Sequence, residues 1–175
     1  ATFTSVQISL GGKNILNTSK TLVISGAFTI AGELEMADGS VVDAGGDVTV
    51  SGTLDMIGTS RLKMEGDLSF SGTMEASNTS RIDLDGGSTQ TISGSATPVF
   101  NRLFCSSSAT VFNLTATIND TLDTGGQAFT ISDSKTLTMT AGSVTVISGG
   151  SWTRTGTLAL DAASKVLYTT GANST

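Results

Sequence analysis

The feature that most restricts the fold is an internal repeat of twenty residues, which runs without a gap through three consecutive rows. The rows are TLVISGAFTIAGELEMADGS at 21–40, VVDAGGDVTVSGTLDMIGTS at 41–60 and RLKMEGDLSFSGTMEASNTS at 61–80. Repetition at so short a period marks a unit that cannot bury its own apolar face and must stack on its neighbours. Down the columns, apolar residues come in pairs two apart, the spacing that puts both side chains on one face of a strand. Leu22/Ile24, Val42/Ala44, Leu62/Met64 and Ile82/Leu84 make one set. Phe28/Ile30, Val48/Val50 and Leu68/Phe70, preceded by Ile8/Leu10, make a second, and Leu34/Met36, Leu54/Met56 and Met74/Ala76 a third. Three short strands per row, all in register, predict an all-β chain: a three-sided parallel β-solenoid with rungs of about 20 residues. That rung length favours a right-handed β-helix over the shorter hexapeptide type.

Small residues punctuate the rows. Gly26, Gly46, Gly66 and Gly86 form one column, and Gly12, Gly32, Gly52 and Gly72 another. Glycine takes a positive φ at no steric cost, so both columns are expected at left-handed corners. Ser40, Ser60 and Ser80 end each row, where a hydroxyl is expected to satisfy turn backbone.

The strict period covers residues 1–85. Residues 86–110 hold the only proline, Pro98, and an apolar cluster of Val99, Phe100, Leu103 and Phe104. Proline cannot donate to an interior ladder, so a wide loop or irregular rung is expected there. Over 111–175 the alternation resumes in Phe112/Leu114, Phe129/Ile131, Leu137/Met139, Val144/Val146 and Leu158/Leu160, with rungs of about 21 to 25 residues and longer loops. The whole chain reads as one continuous domain. Nowhere do apolar residues recur at helical spacing for long enough to make a helix.

Charge and cysteine content narrow the function. A net charge of −6 with nine Lys plus Arg leaves no basic stripe for nucleic acid. Apolar runs of a few residues are too short to insert in a membrane. The single cysteine, Cys105, cannot close an internal disulfide, and no cation flanks it to activate the thiol. The complete absence of histidine removes Ser-His-Asp and Cys-His nucleophiles. Ala1 opens directly into strand sequence, so a secretion signal is expected to have been removed or to lie upstream.

The run STQTISGSATPVFNRL at 88–103, followed by TLDTGGQAFTISDSKTLTMTAGSVTV at 121–146, resembles the β-strand repeats of large secreted and cell-surface proteins of Bacteroidetes-type bacteria. The resemblance covers most of the chain from about residue 20. It implies a non-enzymatic extracellular array acting as stalk, adhesin or self-assembling surface filament. The expected partners are other copies of the chain, head to tail, or flanking repeats of a longer one, together with surface glycans. Autotransporter passengers and phage fibres share the same statistics.

Several outward columns bear on function. Glu35, Asp55 and Glu75 stack carboxylate on carboxylate, an arrangement calcium relieves, yet no glycine-aspartate calcium repeat is present, so the column reads as a solvated stripe. No metal or cofactor is expected. Asp43, Lys63 and Asp83 alternate in sign and read as a register device. Carbohydrate-active β-helices use clustered carboxylates for acid/base work, and Asp83 and Asp85 beside Arg81, or Glu33 beside Glu35, are the nearest equivalents. Each of these occupies an ordinary surface position of the repeat, so catalysis is the weaker reading. Ser9, Thr29, Thr49 and Ser69 form a hydroxyl column too mixed for an ice-binding lattice. Asn78-Thr79-Ser80 matches a glycosylation acceptor, which a chain this rich in Asn, Ser and Thr produces by chance. The interaction surface is expected among Phe100, Arg102 and Phe104 in the irregular segment and Trp152 and Arg154 beyond it, with Trp152 offering a ring for sugar stacking.

Overall fold

A computed structural model describes residues 2–148, 150–169 and 173–174. Among these the chain forms only strands and turns, and every pairing between strands is parallel. The fold is a three-sided β-solenoid of about eight turns. The first face stacks Thr2–Phe3, Thr21–Ile24, Val41–Ala44, Arg61–Met64 and Arg81–Leu84, then the later parts of the long strands Val99–Cys105 and Ala116–Asp123, then Val144–Ser148 and Lys165–Thr169. The second face holds nine strands, from Val6–Ile8 through Phe28–Ile30, Val48–Val50, Leu68–Phe70 and Thr89–Gly94 to Asn173–Ser174. The third begins with Lys13–Leu16, Glu33–Met36, Thr53–Met56 and Thr73–Ala76. It continues through the early parts of the same long strands and through Thr136–Met139 and Thr157–Leu160.

Stacking in register explains why the repeat is so strict. Leu22↔Val42↔Leu62↔Ile82 and Leu34↔Leu54↔Met74 lie directly above one another, so each inward side chain packs on its own equivalent one rung away. Phe28, Phe70, Phe100, Phe112 and Phe129 are fully buried along the axis. Each such side chain contributes roughly 1.5–3 kcal/mol through burial.

The glycine columns have a different cause from the expected one. None of Gly12, Gly26, Gly32, Gly46, Gly52, Gly66, Gly72 or Gly86 has a left-handed φ. Instead, a Cβ at Gly32, Gly52 or Gly72 would lie 2.1, 1.9 and 2.0 Å from a backbone carbonyl oxygen of the rung before. The corners bring two backbones so close that only hydrogen fits between them. Left-handed backbone occurs in the turns from the third face to the first, at Ser19, Gly39, Gly58, Asn78 and Gly142. In those turns the Ser40, Ser60 and Ser80 amides donate to the carbonyls of Ala37, Ile57 and Ser77. The expected role for their hydroxyls fails. The hydroxyls of Ser40 and Ser60 are buried without a partner, and that of Ser80 accepts from Asn101 Nδ2 at 3.3 Å.

Three further expectations are corrected. Val6 and Ile8, not Ile8 and Leu10, stack on Phe28 and Ile30, because the loop before Lys13 is two residues longer than its equivalents, and Leu10 stands 84% exposed in it. Of the loop or irregular rung expected over residues 86–110, the structure has the irregular rung, since Thr89–Gly94 and Val99–Cys105 are both paired on each side. Their irregularity is a corner four residues longer, visible in the pairing Leu68↔Ile92. Gln90 turns inward to seal it, accepting from the Gly86 amide and donating to the Met64 and Gly66 carbonyls. Pro98 sits just before its strand, where a missing N–H costs the ladder nothing. Finally, Val144 and Val146 face outward while Thr145 and Ile147 fill the core. Rungs on the first face of the second half advance by 21, 19, 23 and 21 residues, through Arg81↔Arg102↔Thr121↔Val144↔Lys165, so all but the 19-residue rung fall within the expected 21 to 25.

Candidate interaction face

Outward positions on the first face carry the densest polar chemistry. Parallel register stacks Arg61, Arg81 and Arg102 in one column on successive rungs. The neighbouring column reads Asp43, Lys63, Asp83, Phe104 and Asp123. Three guanidinium groups at rung spacing, about 4.8 Å, would repel one another unless interleaved with acids. Asp83 supplies the first counter-charge: almost fully buried, it contacts Arg61 Nε and also Arg81 Nε at 2.8 Å. Asp120 pairs with Arg102. The Arg81 guanidinium also lies over the Phe104 ring, 4.4 Å from its centroid, a cation–π contact.

Lys63 follows the alternating column only in part. Its Nζ reaches Asp43 at 3.4 Å and Asp85 at 3.2 Å, while Asp83, the neighbour in its own column, is taken by the arginines. Burial pulls the Lys63 ammonium down in pKa, but its hydrogen bonds and attraction to Asp85 and Asp43 outweigh that, and its pKa is raised. The arrangement holds every cation of the cluster against a carboxylate. Asp83 and Asp85, the carboxylates weighed from the sequence for acid/base roles, each stand in an ion pair with this cluster.

The third face carries the carboxylate column as the repeat implies, with Glu35↔Asp55↔Glu75 in register. Lys13 bridges Glu33 at 2.7 Å and Glu35 at 3.0 Å, and these hydrogen bonds raise its pKa. Asp55, beyond its reach, is pushed up by desolvation first and then by Glu75 and Glu35 above and below it. Among the described residues, no three His, Cys, Asp or Glu side chains are placed to hold a metal ion.

The five residues singled out from the sequence do not form one site. Phe100 is fully buried and meets Phe70 edge to face at 6.4 Å, so it is core rather than interaction surface. Trp152 is likewise buried, stacked on Phe129 at 4.8 Å, and presents no ring to a sugar. Arg102 and Phe104 do reach the first face together. Arg154 is exposed on the second face, in register with the core residue Ile131. Cys105 lies in the core column between Leu84 and the position of Thr124, and burial pushes its thiol up to about 12. Sequence reading missed the arginine column because the longer corner shifts Arg102 one residue off the twenty-residue period. Realigning the rows on the Ile82/Leu84 and Leu103/Cys105 pairs would have exposed it.

No protein-family model, curated protein or solved structure matches this chain.

Proposed function

We propose that the chain is a structural segment of a secreted or surface-anchored bacterial protein, a stiff spacer that acts by stacking and contact rather than by catalysis. The observation that carries this reading is the unbroken parallel stack. Each rung is hydrogen-bonded to the next on at least two faces, so bending across them requires several ladders to open together. The partners in this reading are flanking repeats of a longer chain or a second copy, stacked rung on rung. Phe3, in register with the core residue Ile24, is 46% exposed and leaves apolar surface for such a contact. Interleaved charge on the first face, tied down by Asp83 and Asp120, keeps register along the rod and resists lateral sticking. Surface glycans are the natural contact for Arg102 and Phe104.

The test has three arms. Electron micrographs of the purified chain should show straight rods about 40 Å long, singly or joined end to end. Added protease should shave the full-length protein from intact cells; protection until lysis would overturn the surface placement. Release of unsaturated or reducing ends from acidic polysaccharides, abolished by Asp85→Asn, would replace the spacer reading with a carbohydrate-active one.

A further inference from the structure

The ladder on the third face is interrupted within the rod. Thr73–Ala76 pairs with Thr53–Met56 on one side and with no strand on the other, while Val99, which opens the next strand along this face, pairs only with Thr117 of the rung after it. Backbone bonds flank the gap at the Ala96 amide, 3.2 Å from Phe70 O, and at the Arg102 amide, 3.2 Å from Ser80 O. One rung earlier the same stretch also carries the Thr73 amide on Gly52 O at 2.8 Å, the Ser77 amide on Met56 O at 2.9 Å and the ladder between them. Chain length explains the difference. Arg81 follows Gly72, whose amide meets Val50 O, by nine residues, whereas Arg102 follows Ala96, the equivalent position on Phe70 O, by six. Val99–Cys105 therefore passes from the third face into the first without a turn like that at 77–80, and cannot run alongside Thr73–Ala76.

Burial marks the same seam. Leu54 and Met56 are buried, but Met74 and Ala76, their equivalents one rung on, are only half-buried, and Val99 across the gap is 38% exposed. A groove of about 340 Å³ lies between them, lined by Met74, Ala96, Pro98 and Val99. The Thr73 and Ser77 amides point back to the preceding rung, so the alternation of a parallel strand turns those of Met74 and Ala76 toward the gap, and Pro98 has no N–H to offer from the far side.

We infer that this seam is a hinge, at which the rod bends by opening its third face between the rungs up to residue 80 and those from residue 81 onward. Two ladders hold these blocks together, Arg61–Met64 with Arg81–Leu84 on the first face and Leu68–Phe70 with Ile92–Gly94 on the second. In a three-sided coil the corner shared by those faces lies opposite the third, which makes it the pivot. Gln90 braces that corner, accepting from the Gly86 amide at 2.9 Å and donating to the Met64 carbonyl at 3.0 Å. Between the other rungs, parting the third face breaks a ladder of backbone bonds at once; here no ladder stands in the way. Behind the seam Phe100 meets Phe70 edge to face at 6.4 Å, an apolar contact without directional bonds that lets the gap part and reclose. Such a joint serves the rod whether or not it is a surface spacer.

Two measurements on the purified chain test the joint. Amide hydrogen exchange should find Met74 and Ala76 about a hundredfold less protected than Leu54 and Met56. Equal protection would mean a paired seam and overturns the inference. Double electron–electron resonance, in a Cys105→Ala background, then compares nitroxides at Glu35→Cys and Thr138→Cys on the third face with nitroxides at Val23→Cys and Asp123→Cys on the first, each pair five rungs apart across the seam. Third-face distances should spread about twofold more widely, with a tail to longer separations. Equal spreads, or a wider spread on the first face, overturn the hinge even where exchange shows the seam unpaired. If the third-face variant does not fold by far-UV circular dichroism, Asp55→Cys with Thr157→Cys repeats the comparison over the same number of rungs.

Discussion

Replacing Gly52 by alanine tests the claim that the corner glycines answer to space rather than to backbone twist. The added Cβ would sit 1.9 Å from the Gly32 carbonyl oxygen, 2.6 Å from that of Ala31 and 2.7 Å from the Ala31 carbonyl carbon. Reaching even a tight contact of about 3 Å requires the two rungs to part locally by more than about 1 Å. The Gly52 amide donates to Ile30 O at 2.9 Å and the Thr53 amide to Gly32 O at 2.9 Å, so parting by that distance breaks both bonds. Two backbone bonds lost between stacked rungs cost roughly 2–5 kcal/mol, counting the groups left unsatisfied. Gly12 supplies the control. A Cβ there meets nothing closer than Ser9 O at 3.5 Å, and its φ is not left-handed. Gly12→Ala should therefore be neutral or stabilise by about 0.4–1 kcal/mol. Gly142 has open space around it but a φ of +84°, so Gly142→Ala isolates the twist effect at about 1–2 kcal/mol. Urea unfolding followed by far-UV circular dichroism ranks the three. A Gly52→Ala variant within 1 kcal/mol of Gly12→Ala, or milder than Gly142→Ala, would refute the reasoning.

Other perturbations probe the interior and the third face. Gln90→Leu strands the Gly86 amide and the Met64 and Gly66 carbonyls, and should lower stability by about 2–4 kcal/mol in the same urea assay. Thr145 buries a hydroxyl with no partner, so Thr145→Val should raise stability by about 1 kcal/mol, read as a higher urea midpoint. Asp55 has a raised pKa, so the folded chain takes up its proton more readily than the unfolded one, and this site adds stability as pH falls from neutral through that raised value. Asp55→Asn should remove that slope and stabilise the chain at pH 7 by up to about 1 kcal/mol; melting curves across the pH range check both. The Cys105 thiol, buried and held up to about 12, should react with iodoacetamide only as fast as the rod opens, so labelling rates should track urea concentration.

Much of the fold was legible because stacking makes the sequence repeat itself. Pairs such as Leu62/Met64 and Leu68/Phe70 recur at twenty residues, and each pair fixes a strand, a face and a register at once. Legibility fails where a corner changes length. Four added residues before Ile92 hide the continuity of the second face, and the same corner puts Arg102 twenty-one residues after Arg81, which hides the arginine column. Alternation alone also cannot say which of two phases points inward. Val144 and Val146 are the apolar pair by alternation, yet Thr145 and Ile147 point inward because Leu122↔Thr145 continues the core column. Aromatic content misled in the same way. Phe100 stands out by its irregular segment and Trp152 as a lone ring near Arg154, but both rings are packed in the core, on Phe70 and Phe129.

The gap-free rungs at 21–80 make length an adjustable property of this molecule. Residues 41–60 enter and leave at equivalent backbone positions, and their neighbours on either side already carry matching inward pairs, corner glycines and turn serines. Excising all twenty, or duplicating them, returns the chain to the same place one rung along the axis, without a new loop or a new core. Reach can thus evolve by whole steps of about 4.8 Å through in-frame duplication or loss of sixty nucleotides, while whatever the distal faces contact stays unchanged.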